Sequence, residues 1–359
     1  MKDMELYAIR QKIDAIDEDL LKLLNDRMEF VHHVGEMKRG SGASIYRPER
    51  EKAIIQRLNK ISKGRLTSSA IEAIFLEIFA VSRNFELPER IGYLGPEGSF
   101  THQAAESRYG AMSEYLPANT ISSVFETVNS GRARYGVVPI ENNQEGIVEE
   151  TLDLLGHLDV KIAAELSMPI HFSFATREDN IKVIKKIYSK DIAFRQCRKF
   201  IRDLYGDEIE LIPVNSTSTA CQMALKEDGA AAICSHIAAR EALLPILFEN
   251  IEDSSDNHTR FLILAKDVKN VPSGDDKTSV LVKLADSDKP GTLVLFLQDF
   301  YRSKINLSKI ESRPAKNGTD FKYVFFIDFE AHIEDKKVKK ILQSYGDEIK
   351  WLGSYPRLC

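Results

Sequence analysis

Apolar residues recur with heptad spacing over the first part of the chain. Ten positions, alternately three and four residues apart from residue 6 to residue 37, share one helix face, and nine of them are apolar. A helix from Glu5 to about Arg39 would be roughly 50 Å long, which is longer than a domain of some 90 residues is wide. We therefore expect this helix to pack against a second chain. The nine apolar positions are Leu6, Ile9, Ile13, Ile16, Leu20, Leu23, Phe30, Val34 and Met37.

The pattern changes twice further along the chain. Two shorter helices follow, one with Pro48 in its first turn and one that starts at a capping box of Ser69 and Glu72 and continues to about Glu86. Short β-branched runs then alternate with helical segments, and the last segment has the ferredoxin-like order strand, helix, strand, strand, helix, strand. Joints at "LPER" and "VPSGDD" divide the chain into an all-helical domain (1–88), an α/β domain (90–268) and an α+β domain (276–356).

Composition limits the class of protein. The chain has 359 residues, 43% of them hydrophobic and 29% charged, and no apolar stretch long enough for a membrane span or a secretory signal. The net charge of −5 divides into +1, −8 and +2 over residues 1–88, 89–274 and 275–359, so no segment has the basic surplus that nucleic-acid binding favours. Four cysteines without Cys-x-x-Cys spacing suit a reducing compartment. We expect a cytoplasmic protein with no metal, membrane or nucleic-acid partner.

The one polar position in the apolar helix face is Arg27. An unpaired buried guanidinium is costly, so something anionic should meet it. The plain interpretation is an acidic residue on a partner helix that sets the register. Lys38 lies almost three turns further on and on nearly the same face, whereas Arg10 lies some 100° round the helix. With Arg50 on the second helix, these cations predict a charged interior within a helical bundle.

The runs "LYAIRQKIDAIDEDLLKLLNDRMEFVHHVGEMK", "YRPEREK" and "AVSRNFE" resemble the all-helical chorismate mutase family over about 90 residues. The resemblance implies an intertwined dimer and the rearrangement of chorismate to prephenate, which needs no cofactor but needs confinement of a dianion and donors aimed at its ether oxygen. Arg47 stands where some members have an acidic residue, so it is left out of the chemistry. By resemblance, three arginines hold the substrate's carboxylates or line the pocket: Arg10 of the second chain, Arg27 and Arg50. Ser82 contacts a carboxylate and Glu51 holds the substrate hydroxyl. Lys38 and a protonated Glu86 face the ether oxygen.

In the middle segment, polar clusters stand where predicted strands end, which is where open α/β sheets bind ligands. The turn "GPEGSF" leads from a strand into a helix and exposes backbone N–H groups suited to an anion. It lacks the marks of a P-loop or a dinucleotide site. Taken alone, "HTRF" could equally be an ordinary loop that enters a strand.

Taken together, "GYLGPEGSFTHQAA", "VVPIENN", "YSKDIAFRQC", "STSTA" and "HTRFLIL" resemble prephenate dehydratase over about residues 90–268. The resemblance implies two α/β lobes of the periplasmic-binding-protein type, joined near "LSMPIHFSFAT", with prephenate bound in the cleft. Asn143 and Asn215 depart from the residues of many members and put dehydratase activity in question. By resemblance, Thr259 acts at the departing hydroxyl, aided by a water or Glu141; Asn142, Gln196 and Ser189 contribute to the site; and Arg260 and Phe261 complete its motif.

The last segment, "KPGTLVLFLQDFYRSKINLSKIESRP", resembles the ACT regulatory domain that is fused to prephenate dehydratases. In that family paired domains bind phenylalanine at their interface, so the resemblance implies a homodimer or tetramer under feedback inhibition. A purely structural dimerisation domain is the alternative. The implied effector-binding residues are Gly291, Thr292, Leu293, Val294, Asn306, Leu307, Glu311 and Ser312.

The combined resemblance is to the bifunctional chorismate mutase/prephenate dehydratase family, with phenylalanine as inhibitor. Two other interpretations stay open on the sequence alone: a catalytically silent amino-acid sensor, and a mutase whose dehydratase half is inactive.

Overall fold

The protein was analysed as a computed structural model. It describes residues 2–39, 47–86, 89–110, 112–206, 208–268, 271–285, 289–314 and 323–357. Across these ranges, no helix is both long and apolar enough to traverse a bilayer.

Three helices form the N-terminal part, as the hydrophobic pattern predicts. All nine apolar residues of the heptad face of the first helix are exposed in the single chain, between 43% and 79%. The predicted capping box is wrong, because the Thr67 hydroxyl accepts the Ala70 N–H at 3.2 Å and the third helix therefore begins before Ser69. The helices are α1 (Lys2–Arg39), α2 (Pro48–Ile61) and α3 (Ser68–Glu86).

The middle part contains two sheets. The first has the order β2-β1-β3-β11-β5, with the short β4 beside β3, and the second has the order β10-β6-β9-β7-β8. The chain passes from the first sheet to the second after Pro169, where the crossing was predicted, and returns before His258. The elements are β1 (Arg90–Leu94), α4 (Phe100–Tyr109), β2 (Glu114–Ala118), α5 (Ile121–Asn129), β3 (Tyr135–Asn142), β4 (Gly146–Ile147), α6 (Glu149–His157), β5 (Lys161–Pro169), β6 (Ser173–Thr176), β7 (Lys186–Ser189), α7 (Asp191–Gln196), α8 (Arg198–Tyr205), β8 (Glu210–Pro213), α9 (Thr217–Lys226), β9 (Ala230–Cys234), α10 (His236–Glu241), β10 (Ile246–Phe248) and β11 (His258–Ala265), with a 3₁₀ turn at Ile181–Val183.

The C-terminal part has the predicted βαββαβ order. Its antiparallel sheet has the order β13-β14-β12-β15, with β13 at one edge. One sheet face packs on α11 and α12, and the other packs on the first sheet of the middle part, where Leu281, Phe326 and Leu352 join a core with Ile162 and Leu262. The elements are β12 (Asp276–Val282), α11 (Thr292–Ser303), β13 (Leu307–Pro314), β14 (Tyr323–Phe329), α12 (Lys336–Tyr345) and β15 (Ile349–Pro356), with a 3₁₀ turn at Gly346–Glu348.

The helical part also packs closely on the middle part, where α3 meets the end of α4. Gly110 closes α4 with a φ of +74°, and a Cβ at this position would lie 2.5 Å from the Cβ of Ala80. The Asn84 amide donates to the Ser113 hydroxyl at 3.1 Å across the same junction. A residue without a side chain is therefore needed here for two reasons, the backbone conformation and the approach of α3.

Replacing Gly110 by alanine should separate these two reasons when it is compared with Gly131→Ala. Gly131 has nearly the same φ, +75°, but no atom lies within 4 Å of its missing Cβ. We expect Gly131→Ala to cost about 1–2 kcal/mol for the left-handed backbone alone. Gly110→Ala should cost about 1–3 kcal/mol more because the methyl group overpacks the junction. Equal shifts in the thermal midpoint of the two variants would show that α3 does not pack on α4 in this way.

Candidate active sites

A pocket of about 280 Å³ opens among α1, α2 and α3. Four of the residues predicted for the helical site line it together: Arg27, Arg50, Glu51 and Ser82. Arg47, which the sequence interpretation left out, also lines the pocket, but its Nε donates to the neighbouring Glu49 carboxylate at 2.7 Å. The other lining residues are Phe30, Val31, Val34, Ile54, Phe79 and Arg83.

Arg27 projects from α1 into this pocket. Its guanidinium donates to the Ser82 hydroxyl and lies 5.9 Å from the centre of the Phe79 ring. The Ser82 hydroxyl in turn donates to the Ile78 carbonyl at 2.6 Å, which orients its oxygen towards Arg27. The predicted charge in the apolar face is thus a half-buried cation held against α3 on the wall of a pocket suited to an anion.

Glu51 lies at the base of the pocket and is held from two sides. Its carboxylate accepts from Arg83 on α3, and its second oxygen lies 3.0 Å from Nη2 of Arg108 on α4. Arg83 also donates to the Arg108 carbonyl at 2.7 Å and lies 3.5 Å from the Glu89 carboxylate. All four side chains are buried. This cluster could not be predicted from the sequence, because Arg108 comes from a helix outside the predicted helical domain.

Arg10, also predicted for this site, does not line the pocket of its own chain. Arg10 is exposed, and at 1.5 Å per residue it lies about 25 Å along α1 from Arg27. That distance agrees with the expectation that it serves the pocket of a second chain. The side chains of Lys38 and Glu86 lie outside the described residues, so their predicted roles stay predictions.

A second polar site lies where the ends of β3 and β11 pair. In the antiparallel register Asn142 stands opposite Thr259, and Glu141 stands opposite Arg260. The Asn142 amide donates to the Thr259 hydroxyl oxygen at 2.8 Å, while its own carbonyl oxygen accepts the backbone N–H groups of Gln144 and Glu145 at 2.9 and 3.0 Å. These bonds fix the amide orientation and leave the hydroxyl proton of Thr259 free to be donated elsewhere.

Gln196, at the end of α7, belongs to the same network. Its amide donates to the Gln144 side-chain oxygen at 2.8 Å, and its own oxygen accepts from Asn257 at 3.1 Å. Asn257 also accepts from Asn142 at 2.8 Å. Sequence analysis missed Gln144 and Asn257, although both stand next to the two motifs that it selected. The network joins the first lobe, which carries β3 and β11, to the second lobe, which carries α7.

Ser189 and Phe261 lie near this network but are buried. The Ser189 hydroxyl donates to the Ile233 carbonyl at 2.6 Å, and Phe261 packs in the core between the lobes. Neither side chain is exposed to the cleft in this structure, so their predicted roles in the site stay predictions.

Glu141 and Arg260 point away from Thr259. Successive side chains of a strand face opposite sides of a sheet, so Thr259 and Phe261 face the inter-lobe core while Arg260 and Leu262 face the C-terminal sheet. Glu141 meets Arg260 at 3.1 Å and Lys309 of β13 at 2.9 Å. The expectation that Glu141 relays a proton to Thr259 is therefore wrong for this arrangement, because the sheet lies between them.

The charge of Glu141 is also fixed by these neighbours. Partial burial acts to raise the pKa of Glu141, but the hydrogen bond and charge of Lys309, together with the charges of Arg260 and Lys277, oppose it. The pKa ends below its ordinary value, so the carboxylate stays ionised at neutral pH.

Two helix N-termini complete the cleft. Ser99 caps α4 and, as predicted for the Ser216 run, Ser216 caps α9. The lobes touch between them, since Ser218 donates to the Glu97 carbonyl and Ser235 donates to the Gly98 carbonyl at 2.7 Å. Helix N-termini expose N–H groups that favour anions, so a carboxylate can be bound here without a surplus of basic side chains.

The predicted effector residues occupy two ends of the C-terminal part. Gly291, with a φ of +89°, precedes α11 at one end, and Asn306 follows α11 at the other. The twelve residues of α11 span about 18 Å, so these groups do not meet within one chain. On β13, Glu311 and Ser312 face opposite sides of the edge strand. Thr292, Leu293 and Leu307 are half-buried, and Val294 is 56% exposed.

The chain is similar to two families of known proteins. The family Prephenate dehydratase matches residues 91–269, and the family Chorismate mutase type II matches residues 9–87. A bifunctional chorismate mutase/prephenate dehydratase of Aquifex aeolicus is 42% identical over 98% of both chains. The enzyme of the same name from Pseudomonas aeruginosa is 37% identical, again over 98% of both. A prephenate dehydratase of Arthrobacter aurescens in complex with L-Phe superposes with a TM-score of 0.67 and 33% identity, covering 75% of this chain and 90% of that one.

The buried charge cluster around Glu51 allows a direct test. Arg108→Met removes one of the two cations that hold the Glu51 carboxylate, and breaking a buried ion pair typically costs about 3–5 kcal/mol. Arg90→Met is the matched control, because Arg90 meets Glu114 at 2.9 Å with both side chains more than half exposed. Its loss should cost less than about 1 kcal/mol. Thermal midpoints that fall equally in both variants would contradict the buried cluster.

Proposed function

The chain belongs to the bifunctional chorismate mutase/prephenate dehydratase family, and from that premise we propose where each of its two reactions takes place. The enzyme rearranges chorismate to prephenate and then converts prephenate to phenylpyruvate by loss of carbon dioxide and water. We assign the first reaction to the helical pocket and the second to the cleft network around Thr259.

The observation that supports the mutase assignment is the meeting of Arg27, Arg50 and Ser82 in one apolar pocket. The rearrangement forms no covalent intermediate with the protein and needs a flexible dianion held in its reactive shape. Two guanidinium groups suit the two carboxylates, since an arginine can bind a carboxylate through two parallel hydrogen bonds. Lys38 and a protonated Glu86 complete the proposal as donors to the ether oxygen, where negative charge grows.

Glu51 enters this proposal in a changed role. Since Arg83 and Arg108 occupy its carboxylate, its acceptor capacity towards a substrate hydroxyl is reduced but not exhausted. Its main contribution is to hold the floor of the pocket against α4. The mutase pocket is thereby built partly on the dehydratase half.

The dehydratase assignment is supported by the bond from Asn142 to Thr259. A threonine hydroxyl is far too weak an acid to give its proton freely, so Thr259 acts as a hydrogen-bond donor to the departing hydroxyl group. Asn142 makes that donation directional because its amide occupies the acceptor side of the hydroxyl. Formation of the aromatic ring drives the loss of carbon dioxide and hydroxide, so modest assistance is enough.

Asn143, one of the two residues that raised doubt, supports an active dehydratase half. Its side chain donates to the Asp256 carbonyl and accepts the His258 N–H at 2.9 Å. It thus fixes the backbone immediately before Thr259. Family membership favours an enzyme over a catalytically silent sensor. A coupled assay that starts from chorismate and follows prephenate and phenylpyruvate separately distinguishes the bifunctional enzyme, the silent sensor and a mutase with an inactive dehydratase half.

We further propose that residues 276–356 are an ACT domain that binds phenylalanine between two chains. The βαββαβ order supports this, as does the Arthrobacter relative, whose superposition covers more of the chain than residues 91–269. The separation of Gly291 from Asn306 fits a site to which each chain contributes one end. The exposed apolar face of α1 likewise supports a homodimer. Pairing of such dimers into a tetramer and a cytoplasmic location stay predictions.

Arg27→Met should lower mutase activity strongly and leave dehydratase activity intact. Arg27 holds a substrate carboxylate, so its loss frees the dianion from its reactive shape, and such a loss of positioning typically lowers kcat about 10²-fold. Arg57→Met on α2 is the control, since Arg57 is exposed and does not line the pocket. Mutase kcat near the wild-type value in Arg27→Met would overturn the assignment of the pocket.

Thr259→Val should nearly abolish dehydratase activity, because it removes the only hydroxyl proton that Asn142 orients. We expect a loss of about 10²-fold or more in kcat. Thr259→Ser keeps the hydroxyl and should retain appreciable activity, and mutase activity should be normal in both variants. Dehydratase turnover of Thr259→Val at the wild-type rate would refute the site.

A further inference from the structure

The paired ends of β3 and β11 have two faces with different neighbours. Asn142 and Thr259 face the cleft, and the residues next to them in the chain, Glu141 and Arg260, face the C-terminal sheet. One peptide unit therefore separates each cleft residue from a charged residue on the other side. A shift of Glu141 cannot leave Asn142 where it is.

Lys309 holds this rear face from the C-terminal part. Its ammonium and the Arg260 guanidinium meet the same oxygen of Glu141, at 2.9 and 3.1 Å, and Arg260 lies 3.9 Å from Asp328 of β14. Asp328 is fixed in turn by the Ser279 hydroxyl at 2.6 Å. The Lys309 side chain is 16% exposed, so water screens this cluster less than it screens a surface pair.

We propose that Lys309 is a positioning residue for the dehydratase reaction, which holds Glu141 and Arg260 against the rear of the strand pair and so sets the geometry of Asn142 and Thr259 in the cleft. The inference rests on the proposed dehydratase site. It assigns to the C-terminal domain a part in building that site.

A second anchor of β13 shows that the role is specific to Lys309. Arg313, four residues further along the strand, meets Glu149 at 2.6 Å and Asp153 at 3.8 Å, both on α6. Arg313 fastens the same strand to the same lobe, but its ion pairs are with α6 and not with β3 or β11. It is therefore a matched control for the loss of a cation from β13.

The ionised state of Glu141 gives the role a signature in the pH profile. Three cations face Glu141: Arg260 from β11, Lys309 from β13 and Lys277 from β12. Two of these cations have a second acidic neighbour. Lys277 is paired with the buried Glu165 of β5 at 2.6 Å, and Asp328 of β14 lies beside Arg260. Because the cations lower the pKa of Glu141, its ion pairs are present above that pKa and are lost as the pH falls through it. Removing Lys309 raises the pKa, so the loss should begin at a higher pH.

The test is dehydratase kinetics of the full-length Lys309→Met protein with prephenate as substrate. We expect kcat to fall about 10- to 100-fold, because a small misplacement of the donor is costly, with KM changed less. The acid limb of the kcat profile should move to higher pH, and Lys309→Arg should restore both. Arg313→Met should keep the wild-type rate and profile, and mutase activity of each sample reports that the protein is folded.

Several outcomes would overturn the proposal. Wild-type kcat and an unchanged acid limb in Lys309→Met would do so, and so would equal effects of Arg313→Met, which would indicate general loosening of the strand. If Lys309→Met does not fold, Lys309→Gln can be used instead, because glutamine keeps a hydrogen-bond donor without the charge. Its acid limb of the kcat profile should still move to higher pH, and an unmoved acid limb would contradict the positioning role of Lys309. Failure of the site itself is distinguishable, because Thr259→Val would then remain active.

Discussion

The alternation of side chains along one antiparallel strand pair is the constraint on which the dehydratase half depends. At their ends, β3 and β11 pair Asn142 with Thr259 and Glu141 with Arg260, just before a register shift between Arg260 and Phe261. A cleft pair, Asn142 and Thr259, is therefore fixed in step with a rear pair, Glu141 and Arg260. The cleft pair can do chemistry because its hydrogen bonds are directional. The rear pair can carry charge because the C-terminal sheet covers it. The cleft pair and the rear pair thus share two strands without sharing any side chain.

The mutase half depends on the rest of the chain in a similar way. Its pocket is lined by three helices, but the carboxylate at its base is held by Arg108 from α4, beyond the helical part. The close contact at Gly110 keeps α3 and α4 in register for that bond. In both halves, a carboxylate of one structural unit is paired with a cation of its own unit and with a second cation from a neighbouring unit. Without the neighbouring unit, Glu51 would keep Arg83 alone and Glu141 would keep Arg260 alone.

Much of this could be predicted from the sequence. The heptad spacing predicted α1, the order of strands and helices predicted the C-terminal part, and the resemblance of the motifs predicted two lobes with Asn142 and Thr259 in one site. The sequence could not predict the face on which Glu141 lies, because the register between β3 and β11 shifts next to it. Val138 and Ile140 face the C-terminal sheet, and strict alternation would put Glu141 on the opposite face. Nor could it predict the roles of Arg83, Arg108 and Lys309. Each of these cations pairs with a carboxylate that is distant in the sequence, and only the folded chain brings the two together. The cap of α3 was misplaced because three hydroxyl residues, Thr67, Ser68 and Ser69, compete for it.

The central claim is that the C-terminal part communicates with the cleft through the rear of the β3 and β11 ends. Hydrogen–deuterium exchange of the full-length enzyme, with and without saturating phenylalanine, tests it most directly. The account predicts that phenylalanine changes the exchange of backbone amides at residues 141–145 and 257–260 in the wild-type protein, and that Lys309→Met removes this change. Changes confined to residues 289–314, or changes at 141–145 that persist in Lys309→Met, would contradict it.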